Sequence, residues 1–166
     1  NKLRVQRHSA IEVKKQEIKK RNFVTINGIS LHISPKVGTH ICNMIRGRNI
    51  DKAIEMTEEV LRFKRAVKMN NMEIGHRHGK GMMAGRYPQV ACGEFLRLLK
   101  NLKSNAIYHE MEIEKSKISE CYTNVASKPY KKGGARAKRA HVLIKLEQKK
   151  EEVKKIENKK QMEKKK

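Results

Sequence analysis

The sequence predicts an α+β fold: a small antiparallel sheet packed against three helices, with a protruding basic β-hairpin. Three observations carry this. Apolar residues recur at helical spacing in three separate stretches, beginning near Pro35, Ile50 and Pro88. Residues 141–146 alternate strictly, with Val142, Ile144 and Leu146 on one side and His141, Leu143 and Lys145 on the other. Between Glu120 and Glu147 there is no acidic residue, and the basic segment Lys128 to Arg139 lies between two β-leaning runs.

The elements follow in order. Residues 1–22 are polar and basic and read as an N-terminal arm ordered by its partner. Residues 23–147 form a single α+β domain, and 148–166 form a Lys/Glu-rich tail with helical character. At the start of the domain, Asn27-Gly28 separates two β-rich runs between Phe23 and Ile33. That dipeptide tolerates the positive φ angles of a tight turn, so the spacing predicts a short hairpin. Ser34-Pro35 predicts a helix start, with a hydroxyl cap and then proline where its missing N–H costs nothing. Val37, Ile41, Met44 and Ile45 follow at helical spacing, and Gly47 stops the run. A second helix is predicted from Ile50 to Phe63, with Ala53, Ile54, Val60 and Leu61 inward and Glu55, Glu58 and Glu59 outward. Residues 64–86 read as a long basic, glycine-rich connection. The third helix carries the strongest stripe: Ala91, Phe95, Leu98, Leu99, Leu102 and Ala106. Strands over 116–127 and 139–147 then make the final hairpin.

Composition narrows the function classes. The 166 residues carry a formal net charge of +23 at pH 7, spread along the chain rather than confined to one tail. A folded body so basic repels itself and calls for a polyanionic partner, with repeated phosphate charge as the first candidate. A membrane is disfavoured, because no stretch approaches the ~18 apolar residues of a span and no apolar run follows the basic N-terminus. Cys42, Cys92 and Cys121 are widely spaced without a CxxC, so they read as buried thiols rather than zinc or redox ligands. No metal site and no cofactor are expected.

Two segments carry candidate contacts. In Gly75 to Pro88 the glycine spacing fails a phosphate-binding loop: three residues separate Gly75 from Gly79, and Gly81 stands where a hydroxyl is needed after Lys80. Glycines interleaved with His76, Arg77, His78, Lys80 and Arg86 instead suit close approach to a sugar-phosphate backbone. In the hairpin tip, Lys128, Lys131, Lys132, Arg136, Lys138 and Arg139 supply cations, and Tyr130 offers a ring to a base or sugar. Catalysis is poorly supplied. Asp51 is the single aspartate and sits at a helix start, and no Glu pairs with His or Ser in an acid–base or nucleophile arrangement. The chain reads as no enzyme.

Several segments together resemble a known family. They are Ile33-Ser-Pro-Lys36, Ile45-Arg-Gly-Arg48, Asp51-Lys-Ala53, Gly75-His-Arg77, Ala84-Gly-Arg-Tyr-Pro88, Leu98-Leu-Lys-Asn101, Ser104-Asn-Ala106, and Arg136-Ala137 with Arg139. Their order and spacing over residues 31–147 resemble the universal large-subunit ribosomal protein twenty-two family, protein seventeen in eukaryotes, in its archaeal and eukaryotic branch. The resemblance implies a structural constituent of the large ribosomal subunit in the cytoplasm. Its partners would be large-subunit ribosomal RNA, neighbouring ribosomal proteins, and nascent peptide where the hairpin tip nears the exit tunnel. By motif it places Arg46 and Arg48 beside RNA at the end of the first helix, Arg77 and Arg86 around the glycine loop, and Arg136 and Arg139 in the hairpin. Two other classes stay open on the residues alone: an extra-ribosomal RNA- or DNA-binding module, and a nucleic-acid enzyme using His76 and His78.

Overall fold

A computed structural model describes residues 21–69 and 82–148. The bulk of the arm and tail, and the segment bearing His76, Arg77, His78 and Lys80, lie outside the described residues. In chain order the elements are β1 (Phe23–Leu31), α1 (Pro35–Ile45), α2 (Ile50–Leu61), β2 (Val67–Lys68), β3 (Gly85–Arg86), α3 (Gln89–Tyr108), β4 (Ser116–Val125) and β5 (Ala140–Gln148). The α+β class expected from the sequence is what the chain adopts.

The main sheet is antiparallel with order β1-β5-β4, so the last strand is the middle one. Its alternation explains that place: Val142, Ile144 and Leu146 are fully buried, while His141, Leu143 and Lys145 are half-buried on the other face. The helices cover the apolar face, α1 on β4 and α3 on β1, with α2 packed along α3. Phe95, Leu99 and Leu102 of α3 meet Ile41 and Ile45 of α1, Ile50 and Val60 of α2, and Ile118 of β4 in one core. Every residue of the stripe expected on α3 is buried. In α2 the buried side also takes in Met56 and Thr57, whose hydroxyl donates to the Ala53 carbonyl at 2.7 Å.

Asn27-Gly28 does not make a hairpin. Both residues lie within β1 and pair with Leu143 and Val142 of β5, and the irregularity falls after them, between Gly28 and Leu31. Gly28 answers a packing need instead. A Cβ there would stand 2.8 Å from Leu31 Cδ1 and 2.9 Å from Leu98 Cδ1, so glycine leaves room for these two side-chain ends where strand and α3 meet.

Ser34 occupies the N-cap of α1 with Pro35 following, as expected, but its hydroxyl makes no capping bond. Its carbonyl accepts the Gly38 N–H at 2.9 Å. At the other end the chain joins the sheet. Gly47, at φ 75°, donates to the Ile118 carbonyl at 2.8 Å, and the Ile118 N–H returns to the Arg48 carbonyl at 2.9 Å. The connection after α2 is not wholly irregular, because β2 and β3 close it as a two-residue antiparallel ladder, Val67 opposite Arg86 and Lys68 opposite Gly85.

Candidate nucleic-acid interface

The tip between β4 and β5 is a built turn rather than a slack loop. The Ala126 N–H donates to the Arg139 carbonyl at 3.1 Å, the Ala137 N–H to Pro129 at 2.9 Å and the Lys131 N–H to Ala135 at 2.6 Å. At the apex, Gly133 and Gly134 both take φ 73°, a left-handed conformation that glycine adopts without the Cβ penalty. The Gly-Gly pair is therefore what allows the reversal.

On this frame Lys128, Tyr130, Lys131, Lys132, Arg136 and Lys138 are exposed, and Arg139 is half-buried. Arg136 lies over the Tyr130 ring with Cζ 4.7 Å from the centroid, and its Nη2 donates to the phenol oxygen at 2.7 Å. One face of Tyr130 is thus taken by a guanidinium, leaving the other for an incoming group. Arg139 is fixed nearer the body, donating from Nη1 to the Ser30 carbonyl at 3.3 Å, while the Ser30 N–H donates to His141 Nδ1 at 3.2 Å.

Arg46 and Arg48 sit elsewhere. Arg46 Nη2 donates to the Cys121 carbonyl, and Arg48 lies in the segment bonded to Ile118. Ile118 and the tip end of β4 are seven residues apart, about 23 Å of strand. A single ligand touching both must be extended. Arg86 is exposed on the small ladder. The structure thus brings the tip residues together and leaves Arg46, Arg48 and Arg86 apart from them.

Seven of the acidic groups are committed to cations outside the tip. Glu58 pairs with Arg62 and Lys100, Glu59 with Arg65, Glu94 with Arg97, Asp51 with Lys103, Glu112 with Lys115, and both Glu120 and Glu147 with Lys145. Among the described residues, none of these ion pairs takes in Arg46, Arg48, Arg86 or a tip cation. Among the described residues, no acid compensates the tip's positive charge.

The three thiols are free and buried. The Cys121 thiol, by hydrogen bonding, holds the Cys42 thiol below its ordinary range, with a further bond from Thr123 and the nearby Arg46 charge acting in the same direction. Cys121 is pushed up correspondingly by that bond and by burial, and burial pushes Cys92 up to about 12. No group of three or more His, Cys, Asp or Glu among the described residues could hold a metal ion. No described helix is long and apolar enough to cross a membrane. A cleft of about 330 Å³ lies between α1, α2 and β2, lined by His40, Met44, Arg48, Met56, Lys68 and Met82 among others. Among the described residues, its lining holds no carboxylate and no hydroxyl.

Fold and surface together define a class: a small basic α+β scaffold that displays exposed cations and an aromatic ring on the turn between its last two strands. The chain belongs to the family described as Ribosomal protein L22p/L17e, whose model matches residues 27–153. It is 41% identical over 88 residues to the large ribosomal subunit protein uL22 of Cenarchaeum symbiosum, covering 52% of this chain and 58% of that one. It is 39% identical over 104 residues to the uL22 protein of Methanothrix thermoacetophila, covering 61% and 68%. The uL22 protein of Methanocaldococcus jannaschii is 38% identical over 100 residues, covering 58% and 64%. The chain therefore spans about three fifths to two thirds of the length of these relatives.

Proposed function

We propose that the chain is a non-enzymatic, structural constituent of the large ribosomal subunit in the cytoplasm, binding large-subunit ribosomal RNA and touching neighbouring ribosomal proteins. The observation that carries this is the uncompensated charge of the tip, mounted on a turn with its own hydrogen bonds. Cations held apart from any acid gain by exchanging their counterions for phosphates, and a rigid mount spares the entropy of ordering them on binding. The mechanism is neutralisation and positioning of RNA, with no turnover. Membership of the family and the printed names of its relatives support the ribosomal setting. Tip contacts come from Lys128, Lys131, Lys132, Arg136, Lys138 and Arg139, with Tyr130 presenting its free face to a base or sugar. Arg46, Arg48 and Arg86 hold separate stretches of backbone, and His76, Arg77, His78 and Lys80 add contacts from the glycine-rich segment. The family resemblance supports a tip position near the peptide exit tunnel, within reach of nascent peptide.

Sedimentation of cell extract tests the setting: the protein should travel with the large subunit, and a purely free pool would instead favour an extra-ribosomal module. Affinity for deproteinised large-subunit RNA should fall with salt on a log–log slope of about −0.7 to −0.9 per phosphate neutralised. A flat response between low and moderate salt overturns the proposal.

A further inference from the structure

The end of α2 carries a side chain that its backbone does not favour. The Lys64 N–H donates to the Glu59 carbonyl at 2.9 Å and the Phe63 N–H to Val60 at 3.1 Å, the paired bonds that close a helix through a left-handed residue. That residue is Phe63, at φ 59°. Helices usually place glycine there, because a Cβ in this conformation crowds the following carbonyl. α1 obeys the preference with Gly47, and α3 reverses through Glu110, at φ 55°. A bulky aromatic at this position is a real outlier.

The core does not explain it. Phe63 is 64% exposed, where a ring kept for burial would be inside. Among the described residues its ring meets Tyr87, with centroids 5.4 Å apart and planes tilted by 51°. Tyr87 is itself half-buried against the core, so it serves as a backstop that fixes the outer ring. Around the pair the chain supplies Arg62 and Lys64 beside Phe63, and Arg86 beside Tyr87, all exposed. An aromatic face held outward among cations matches a nucleobase flanked by phosphates. It does not match the core of a protein–protein contact, where charged residues are depleted.

We propose that Phe63, backed by Tyr87, is a stacking platform for an unpaired base of RNA. This rests on the RNA-binding function proposed above and adds to it a site that reads a base face rather than phosphate charge. The test compares the full-length chain with Phe63→Gly and Phe63→Tyr for binding to deproteinised large-subunit ribosomal RNA across a salt series, together with thermal melting. Phe63→Gly should melt at the same temperature or higher, because glycine suits the left-handed position. It should nevertheless bind roughly 5- to 150-fold more weakly, the range of one lost base stack, with an unchanged salt slope. Phe63→Tyr, which keeps the ring, should bind like the wild type. Wild-type-like binding by Phe63→Gly overturns the platform while leaving RNA binding intact, and if that variant also fails to enter subunits, the ring docks protein instead. Absence of salt-dependent binding by the wild type overturns the parent function and the platform with it.

Discussion

Arg136 and Tyr130 face each other across the neck of the tip, the guanidinium 4.7 Å above the ring and its Nη2 2.7 Å from the phenol oxygen. They also form an isolated antiparallel bridge, so the side-chain contact spans the same rung as the backbone pairing. The cation is therefore presented in a fixed place rather than on a freely swinging stem.

Arg136→Ala should weaken RNA binding and reduce the magnitude of the salt slope by roughly 0.7 to 0.9, as one phosphate contact is lost. Folding stability should move by no more than about 0.5 kcal/mol, because both partners are exposed. Tyr130→Phe keeps the ring under the guanidinium and should bind nearly as well as the wild type. Filter binding at four salt concentrations gives the slopes, and an unchanged slope for Arg136→Ala removes that residue from the phosphate contacts.

Gly38 marks the closest approach of α1 to the sheet. A Cβ there would lie 2.8 Å from both Thr123 Cγ2 and Thr123 Oγ1, and 3.2 Å from Thr123 Cβ. Gly38→Ala should cost about 1–3 kcal/mol through overpacking, and Thr123→Ala in the same chain should recover much of it. A double-mutant cycle by chemical denaturation measures the coupling; purely additive effects would show that the helix moves away without strain.

Lys145 bridges Glu147 and Glu120 at 2.6 and 3.2 Å. Hydrogen bonding to Glu147 first, then Glu120, raises the Lys145 pKa above 10.5, and the same Lys lowers the Glu147 carboxyl below 4.5. A lowered carboxylate lends stability above its unfolded value and loses it as pH falls through its folded value. The raised amine lends stability below its unfolded value and loses it as pH rises through its folded one. The two therefore coexist between those limits, with a small effect because the groups face solvent. Glu147→Gln should lower the melting temperature slightly at pH 7 and not at pH 3. Equal offsets at both pH values would rule the carboxylate out as the cause.

The thiols make a different prediction. All three are fully buried, and burial holds Cys92 up at about 12. Ellman's reagent at pH 8 should find no reactive thiol in the native protein and three in guanidinium, since the thiolate is the reacting species and must also be reached. Rapid labelling of any one thiol before unfolding would show that the core opens there.

The helices were legible because each keeps its period long enough to define a face. Six α3 positions from Ala91 to Ala106 were expected inward, and all six are buried. The Asn27-Gly28 turn misled because a strand's partner cannot be read from its own residues. β1 pairs with β5, over a hundred residues later, and Gly28 packs beneath Leu31 and Leu98. The two-residue ladder of β2 and β3 is too short to carry any period. In the candidate interface the sign and density of tip charge were plain in the sequence, whereas the seating of Arg136 on Tyr130 depends on a reversal that only the folded turn supplies. In the sequence Phe63 reads simply as the end of α2. The one clue was a residue that is not glycine where the helix needs a left-handed φ, and that need is invisible until the helix end is located.

The position of β5 has a consequence for how the molecule comes into being. β1 and β4 do not pair with each other; each pairs with the strand made last. Until residues 140–148 exist, β1 waits with both of its edges open and nothing in its own half of the chain to close them. The basic tip precedes that strand, so it must already have been synthesised before the sheet can form. Closure of the scaffold is thus a late event, and the cationic segment is present throughout it.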